Sequence, residues 1–185
     1  KYSWYPESEN NIHYYNGWAA NKAHKVGMKV IIPANGCCAD KWRNEKLDTY
    51  RVNSLISDLE RAMNYLDRGE TSFRMPVDRA VRIANMNDMN KADFTYFTCT
   101  FYKKGTCHIK FKPEASRIID RLNIFAGQKK NWLPPTYGKK HYADMTAEEQ
   151  AVIDDFQGAE SYEKTLADPS MLITSGSTLV ALPGM

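Results

Sequence analysis

The segment NWLPPTYG, residues 131–138, contains the residue types of a DNA-methylating loop. Adenine N6-methyltransferases hold a flipped adenine with a polar side chain directly before two prolines and an aromatic ring directly after them. In this chain Leu133 stands before the prolines and Thr136 follows them. Because both positions on which that chemistry depends are altered, the segment is better interpreted as a rigid extended loop with two aromatic residues and flanking lysines.

Other catalytic signatures are also missing from the sequence. A class I methyltransferase needs a glycine-rich turn where the backbone approaches its cofactor, and the ten glycines of this chain form no such cluster. No P-loop or Gly-x-Ser-x-Gly motif is present. The pattern favours a non-catalytic protein without a cofactor. The remaining enzymatic alternative is an unrecognised nuclease that uses His108, His141, Asp144 and Glu149.

The four histidines and four cysteines lack the spacing of a metal site. His13, His24, His108 and His141 are scattered along the chain. Cys37 and Cys38 are adjacent, whereas Cys99 and Cys107 flank a predicted turn. We therefore expect no bound metal, and we expect the thiols to be reduced.

Charge is distributed unevenly along the chain, although the net charge is only +3. Residues 103–140 contain ten lysines and arginines against two acids, a balance of +8. Residues 141–185 contain eight acids against one lysine, a balance of −7. Two interpretations remain open: the two segments pair with each other in the fold, or the basic segment stays open for a polyanion.

Aromatic residues alternate with the cations of the basic segment, a combination that suits nucleic acid because cations neutralise phosphates and exposed rings stack on bases. The candidate nucleic-acid-binding residues are Tyr102, Lys104, His108, Lys110, Lys129, Lys130, Trp132, Tyr137, Lys139 and Lys140. Arg117 and Arg121 belong to the same segment. In the alternative interpretation Trp132 and Tyr137 are buried core anchors, and the lysines are merely solvated.

Two kinds of periodicity predict the elements that position these residues. A short apolar run centred on residues 30–32 predicts a strand. Residues 48–67 carry an apolar stripe at helical spacing, with Glu60 off the stripe and Gly69 as the stop. A second helix is expected from Pro76. The methionines Met75, Met86 and Met89 are expected to fill a core.

Strict alternation on both sides of KKG predicts a β-hairpin over residues 94–112. In the predicted register Tyr102 lies opposite Thr106, which makes one face wholly apolar, and a slip of one residue would mix the two faces. The polar face carries Thr98, Thr100, Tyr102, Thr106, His108 and Lys110. Because this register keeps Cys99 from lying opposite Cys107, no disulfide is expected between them.

The remaining pattern predicts a helix over residues 114–126 ended by Gly127, and a helix from Thr146 to Gly158 with a Thr146/Glu149 capping box. Two short strands are expected around residues 175 and 176. The predicted fold is a single α+β domain in which several helices pack on a small antiparallel sheet containing the 94–112 hairpin. We expect an amino-terminal extension over 1–17, a core domain over 18–162 and a carboxy-terminal tail over 163–185.

Composition places the chain among globular proteins: apolar residues make up 43% and the mean hydropathy is −0.58. No run approaches the ~18 apolar residues of a membrane helix. The first residues, KYSWYPESENN, lack the apolar segment of a signal peptide. We therefore expect a cytoplasmic protein without a membrane partner.

Several long segments together resemble a known family. They are NKAHKVGMKVIIP, ISDLERAMNYLDRG, the hairpin FTYFTCTFYKKGTCHIKFK and the stretch that begins LNIFAGQKKNWLPPTYGKK. Over residues 18–162 the chain resembles the bacterial and phage family catalogued as domain of unknown function 4942. The resemblance implies association with class I adenosylmethionine-dependent DNA methyltransferases and occurrence on phages and mobile elements. It implies no catalytic residue, because the family has no established activity.

Two functional hypotheses follow. In the first, the chain is a non-catalytic phage or mobile-element module that binds DNA or docks on a DNA-modifying partner of the methyltransferase type. In the second, it is a phage-encoded modulator of a host defence complex that binds protein through the acidic stretch 144–168 and the apolar tail MLITSGSTLVALPGM.

Overall fold

A computed structural model describes residues 25–39 and 46–172. These ranges contain a four-stranded antiparallel sheet with strand order β1-β4-β3-β2. The strands are Lys29–Pro33 (β1), Lys91–Asp93 (β2), Phe97–Tyr102 (β3) and Thr106–Phe111 (β4). The helices are Thr49–Arg68 (α1), Val77–Met86 (α2), Ser116–Lys129 (α3), Ala147–Phe156 (α4) and Ala159–Leu166 (α5). The predicted α+β class is confirmed.

The β3–β4 hairpin has the predicted register, with Tyr102 opposite Thr106 and Phe97 opposite Phe111. Its apolar side chains are all buried against the helices: Phe97, Cys99, Phe101, Cys107, Ile109 and Phe111. Gly105 closes the turn with φ 82°, a conformation that favours glycine. Cys99 and Cys107 are free thiols, as expected.

Helix α1 begins at the predicted position, where the Asp48 side chain accepts a hydrogen bond from the Arg51 backbone N–H at 3.0 Å. The predicted stripe faces the sheet. One prediction for this helix is wrong: Glu60, expected off the stripe, is fully buried. Its Oε1 accepts the backbone N–H of Met75 at 3.2 Å, and burial raises the pKa of the Glu60 carboxyl. A carboxyl partnered by a distant loop can lie inside, which helical periodicity does not reveal.

Helix α2 follows Pro76 as predicted and packs through small apolar residues. Those residues are Val77, Ala80, Val81 and Ala84. The expected core role of the methionines is wrong for Met86, which is 80% exposed, and for Met89, which is also exposed, whereas Met75 packs against the core. Met86 does not belong to the buried face that these residues form, and Met89 follows the end of α2, so neither side chain reaches the core.

Helix α3 extends past Gly127, where the sequence predicted its end. Gly127 is buried within the helix, and a Cβ there would lie 2.9 Å from the Leu133 Cδ1 atom. This glycine therefore allows the following loop to fold back onto α3. Arg121, on the same helix, is only 2% exposed and donates from Nη1 to the Leu66 carbonyl at 2.6 Å. It ties α3 to the last turn of α1.

The end of α3 continues into a second apolar cluster built with α4 and α5. The capping box of Thr146 and Glu149 is confirmed. Helix α5 was not predicted, yet Tyr162 at its centre is fully buried. Residues 163–172, assigned to the tail by the sequence, include the end of α5 and the buried Met171. The strands expected around residues 175 and 176 lie outside the described residues.

Candidate nucleic-acid interface

The candidate interface is the face of the sheet that points away from α1, α2 and α3, here called the outer face. On this face His108 of β4 lies between Ile31 of β1 and Thr100 of β3. Pairing of β2 with β3 adds Lys91 beside Thr100. The outer face therefore comprises Lys29, Ile31, Pro33, Thr106, His108, Lys110, Thr98, Thr100, Tyr102, Lys91 and Asp93.

An aromatic pair occupies this face beside the hairpin turn. The ring centroids of Tyr102 and His108 are 4.6 Å apart, with an angle of 51° between the ring planes. The Lys104 Nζ lies 5.7 Å from the Tyr102 centroid, within cation–π distance. Tyr102 remains 37% exposed, so part of its ring is available to a ligand. Pairs of aromatic rings on an open sheet can provide a stacking surface for bases.

Four lysines surround the aromatic pair. Lys29 lies opposite Lys110 across β1 and β4, Lys91 stands on the edge strand β2, and Lys104 is in the turn. All four are exposed. The acid on this face, Asp93, already forms an ion pair with Lys112 at 3.2 Å. The outer face is therefore cationic, as phosphate binding requires.

His108 contributes a ring without a charge at neutral pH. Partial burial lowers its pKa below the ordinary value of 6.5, and the positive charges of Lys29 and Lys104 lower it further. Tyr102, Lys104, His108 and Lys110, four of the residues predicted from the sequence, thus lie together.

The other predicted site residues lie in the loop after α3, which packs with α4 and α5 in the second apolar cluster. Tyr137 is only 3% exposed, and its hydroxyl donates to Gln157 Oε1 at 2.9 Å. Its ring packs edge-on against Tyr162 at 5.1 Å. The Tyr137 ring is therefore a buried core anchor, which is the alternative interpretation that the sequence left open. Trp132 is half-buried.

The loop lysines Lys129, Lys130, Lys139 and Lys140 are exposed. Lys139 donates to the Pro135 carbonyl at 2.9 Å, and Lys129 lies 5.8 Å from the Phe125 ring centroid. The Lys140 carbonyl accepts the Tyr162 hydroxyl at 2.6 Å. These lysines belong to a surface that is built on the second cluster, and the outer face belongs to the sheet. The two sets therefore occupy different parts of the fold.

Among the ion pairs of the described residues, one joins the acidic carboxy-terminal segment to the basic segment. Arg117 forms an ion pair with Asp168 at 2.6 Å. Within the acidic segment itself, His141 Nδ1 lies 2.9 Å from Glu163 Oε2, and this hydrogen bond raises the pKa of His141. Among the described residues, no ion pair joins this segment to the outer-face lysines. The two charged segments are therefore neither fully paired with each other nor fully separate.

Sequence reasoning missed five members of the outer face: Lys29, Ile31, Pro33, Lys91 and Asp93. Lys29 and Ile31 become part of it only because β1 pairs with β4, about 80 residues further along the chain. Lys91 lies in the three-residue strand KAD, which is too short for its alternation to stand out. The apolar run KVIIP shows no alternation that could have pointed to Lys29.

Two further observations concern a metal site and a membrane span. Across residues 25–39 and 46–172, histidine, cysteine and carboxylate side chains form no group of three that could hold a metal ion. Among the helices described, none combines the length and the apolar character needed to cross a bilayer.

Comparison with known proteins identifies the family but adds no relative of known activity. No curated protein and no solved structure matches the chain. A family model matches residues 8–132, about two thirds of the 185 residues, and covers the sheet and α1 to α3. The match ends before α4 and α5, which complete the second apolar cluster. The chain therefore belongs to the family described as domain of unknown function (DUF4942).

Proposed function

We propose that this protein is a non-catalytic module that binds nucleic acid through the outer face of its sheet. The observation that supports this function best is the Tyr102–His108 ring pair with lysines around it. Exposed lysines supply the electrostatic attraction to phosphates, and the rings supply contacts to bases. A face built on four paired strands holds these groups at fixed spacing, which limits the entropy lost on binding.

DNA is the nucleic acid that we propose. The proposal draws on the resemblance of the chain to a family associated with class I DNA methyltransferases on phages and mobile elements. In such a setting the module brings a methyltransferase-type partner to its substrate, or docks on that partner, in the cytoplasm. The absence of a methylating loop in residues 131–138 is consistent with a module that leaves catalysis to its partner.

Binding of fluorescent DNA at a series of salt concentrations tests the function. The variant Lys29→Glu/Lys91→Glu/Lys110→Glu reverses three outer-face charges. We expect its affinity to fall and the slope of log K against log salt to decrease by about 2 to 3, since each lost phosphate contact removes about 0.7 to 0.9.

A matched control makes the same change in net charge elsewhere. Arg79→Glu/Arg82→Glu/Lys164→Glu alters three exposed cations of α2 and α5. Its salt slope should stay close to that of the unaltered protein. Equal losses in the two triple variants would show that binding follows net charge alone, and the outer face would then have no special role. The quadruple Lys129→Glu/Lys130→Glu/Lys139→Glu/Lys140→Glu variant measures the contribution of the loop separately.

The second candidate function is protein binding, in which the module acts on a host defence complex. The observation that favours it is an exposed stripe on α4, where Val152 is 40% exposed between Glu148 and Asp155. Affinity capture from a nuclease-treated host lysate tests this function by comparing the unaltered protein with Glu148→Lys/Val152→Lys. A partner lost only in the variant would support it, and a partner lost on nuclease treatment would identify a nucleic-acid bridge.

A further inference from the structure

We propose that the outer face takes single-stranded nucleic acid, with an unpaired base lying on the exposed ring of Tyr102. This inference rests on the proposed function and specifies the ligand of the same site. It comes from the order in which apolar, polar and charged side chains are arranged across the four strands.

Apolar and aromatic side chains extend from the turn end of the face to its middle, and lysines lie around them. Ile31 and His108 are neighbours across β1 and β4, and the His108 ring packs on Tyr102. Lys29 and Lys110 lie together at one end of the strands, with Lys104 in the turn at the other. Lys91 stands on the edge strand β2. Lysines therefore lie on three sides of this apolar and aromatic group.

This arrangement matches a nucleic-acid strand whose bases point toward the protein. In a duplex the flat faces of the bases are stacked on one another, and the phosphates form the outer surface. A duplex would therefore meet the lysines but would leave the Tyr102 ring unused. A single strand can turn a base onto that ring while its phosphates reach the lysines, so both kinds of group are satisfied.

The width of the face suits a short segment of one strand. Four strands at about 4.8 Å spacing span about 14 Å, which is enough for two or three nucleotides. The hydroxyls of Thr98 and Thr100 belong to the same face, with Thr100 opposite His108 and Thr98 opposite Lys110. Each hydroxyl both donates and accepts hydrogen bonds, so these residues can contact any base edge. The site should therefore show little base preference.

A base that stacks on Tyr102 takes the place of the Lys104 ammonium group, now 5.7 Å from the ring centroid. Lys104 is exposed and its side chain has four rotatable bonds, so the ammonium group can move to a phosphate of the same nucleotide. His108, packed against Tyr102, restricts the orientations that the Tyr102 ring can take.

The test compares one labelled 12-nucleotide DNA strand, its duplex and the RNA strand of the same sequence. We expect the single strands to bind at least tenfold more tightly than the duplex. Tyr102→Leu should weaken single-strand binding about fivefold to 150-fold, because stacking is worth about 1 to 3 kcal/mol per base. Tyr102→Phe should bind like the unaltered protein. Tyr65→Leu is the control, since Tyr65 is similarly exposed but lies on α1.

A second measurement needs no variant, so it remains informative if Tyr102→Leu fails to fold. A strand containing 5-iodouracil is irradiated with the unaltered protein, and the crosslinked residue is found by mass spectrometry. Crosslinks at Tyr102 or His108 support the inference, and crosslinks confined to Trp132 or other distant aromatics overturn it.

The outcomes separate this inference from the proposed function. If duplex and single strand bind equally and Tyr102→Leu matches Tyr65→Leu, base stacking is wrong. Loss of binding in the outer-face lysine variant would then still support the proposed function. If no nucleic acid binds at all, the inference and the proposed function both fail.

Discussion

The Tyr102 and His108 rings lie 4.6 Å apart on adjacent strands, although neither residue is the direct partner of the other in the strand register. Tyr102 lies opposite Thr106, and His108 lies opposite Thr100. The two rings therefore meet along the diagonal, a contact that aromatic side chains can span. His108 also neighbours Ile31, so it links the aromatic pair of the hairpin to β1.

Acidification should strengthen nucleic-acid binding through His108. Its pKa is lowered by burial first and then by Lys29 and Lys104, so the ring is neutral at pH 7 and gains a proton only below its ordinary value of 6.5. The added positive charge would face a bound phosphate. We expect affinity to increase between pH 7 and pH 5 by a larger factor in the unaltered protein than in His108→Gln, measured by anisotropy at constant salt. Parallel pH profiles would exclude His108 as the group responsible.

Glu60 should make the stability depend on pH in a defined direction. Burial raises its folded pKa above the ordinary value of 4.5, outweighing the hydrogen bonds from Met75 and Thr95 and the charges of Arg74 and Lys112. The folded state therefore binds the proton more tightly than the unfolded state. The free energy of unfolding then falls as pH rises from about 4.5 through the folded pKa.

Glu60→Gln removes this dependence because glutamine does not ionise. Relative to the unaltered protein, we expect Glu60→Gln to gain stability as pH rises from 4 to 7, as measured by urea unfolding. Asp58→Gln is the matched control, since Asp58 is an exposed acid on the same helix. A constant difference between Glu60→Gln and the unaltered protein at all pH values would contradict the raised pKa.

Arg121 should be important for stability, in contrast to the neighbouring Arg117. Leu66 is in the last turn of α1, so its carbonyl has no partner within the helix and depends on Arg121. Arg121→Met should lower the free energy of unfolding by about 1 to 3 kcal/mol, because a buried carbonyl loses its donor. Arg117→Met breaks an exposed ion pair with Asp168 and should cost at most about 1 kcal/mol. Urea unfolding of both variants checks the difference, and equal costs would contradict the buried role.

Gly105 should be required for the hairpin turn that carries Lys104. Its positive φ of 82° costs an L-residue about 1 to 2 kcal/mol. A Cβ at this position would also overlap the side-chain oxygen of Asn35. Gly105→Ala should therefore lower the unfolding free energy by about 2 kcal/mol or more, and Asn35→Ala in the same chain should recover only the part due to overlap. Full recovery in the double variant would mean that the backbone conformation costs nothing.

The sequence alone determined the elements whose pattern repeats locally. The alternation around KKG specified the register of β3 and β4, because any slip would bring Lys110 or His108 into the apolar face. The sequence also predicted the stripe of α1 and the Thr146/Glu149 capping box, since each depends on residues within a turn or two of one another. Helix α5 was missed because it is only eight residues long.

Tertiary structure decided which of the basic and aromatic residues are available to a ligand. Lys29 joined Lys110 because β1 pairs with β4, whereas Arg121 and Tyr137 were buried by α1 and α5. A charge or a ring has the same local pattern in either setting. Its exposure depends on segments distant in sequence, and the hydrogen bonds that those segments supply make burial of a polar group possible. The sequence could therefore predict the polar face of the hairpin, but only the packing of distant segments separated the outer-face cations from the buried ones.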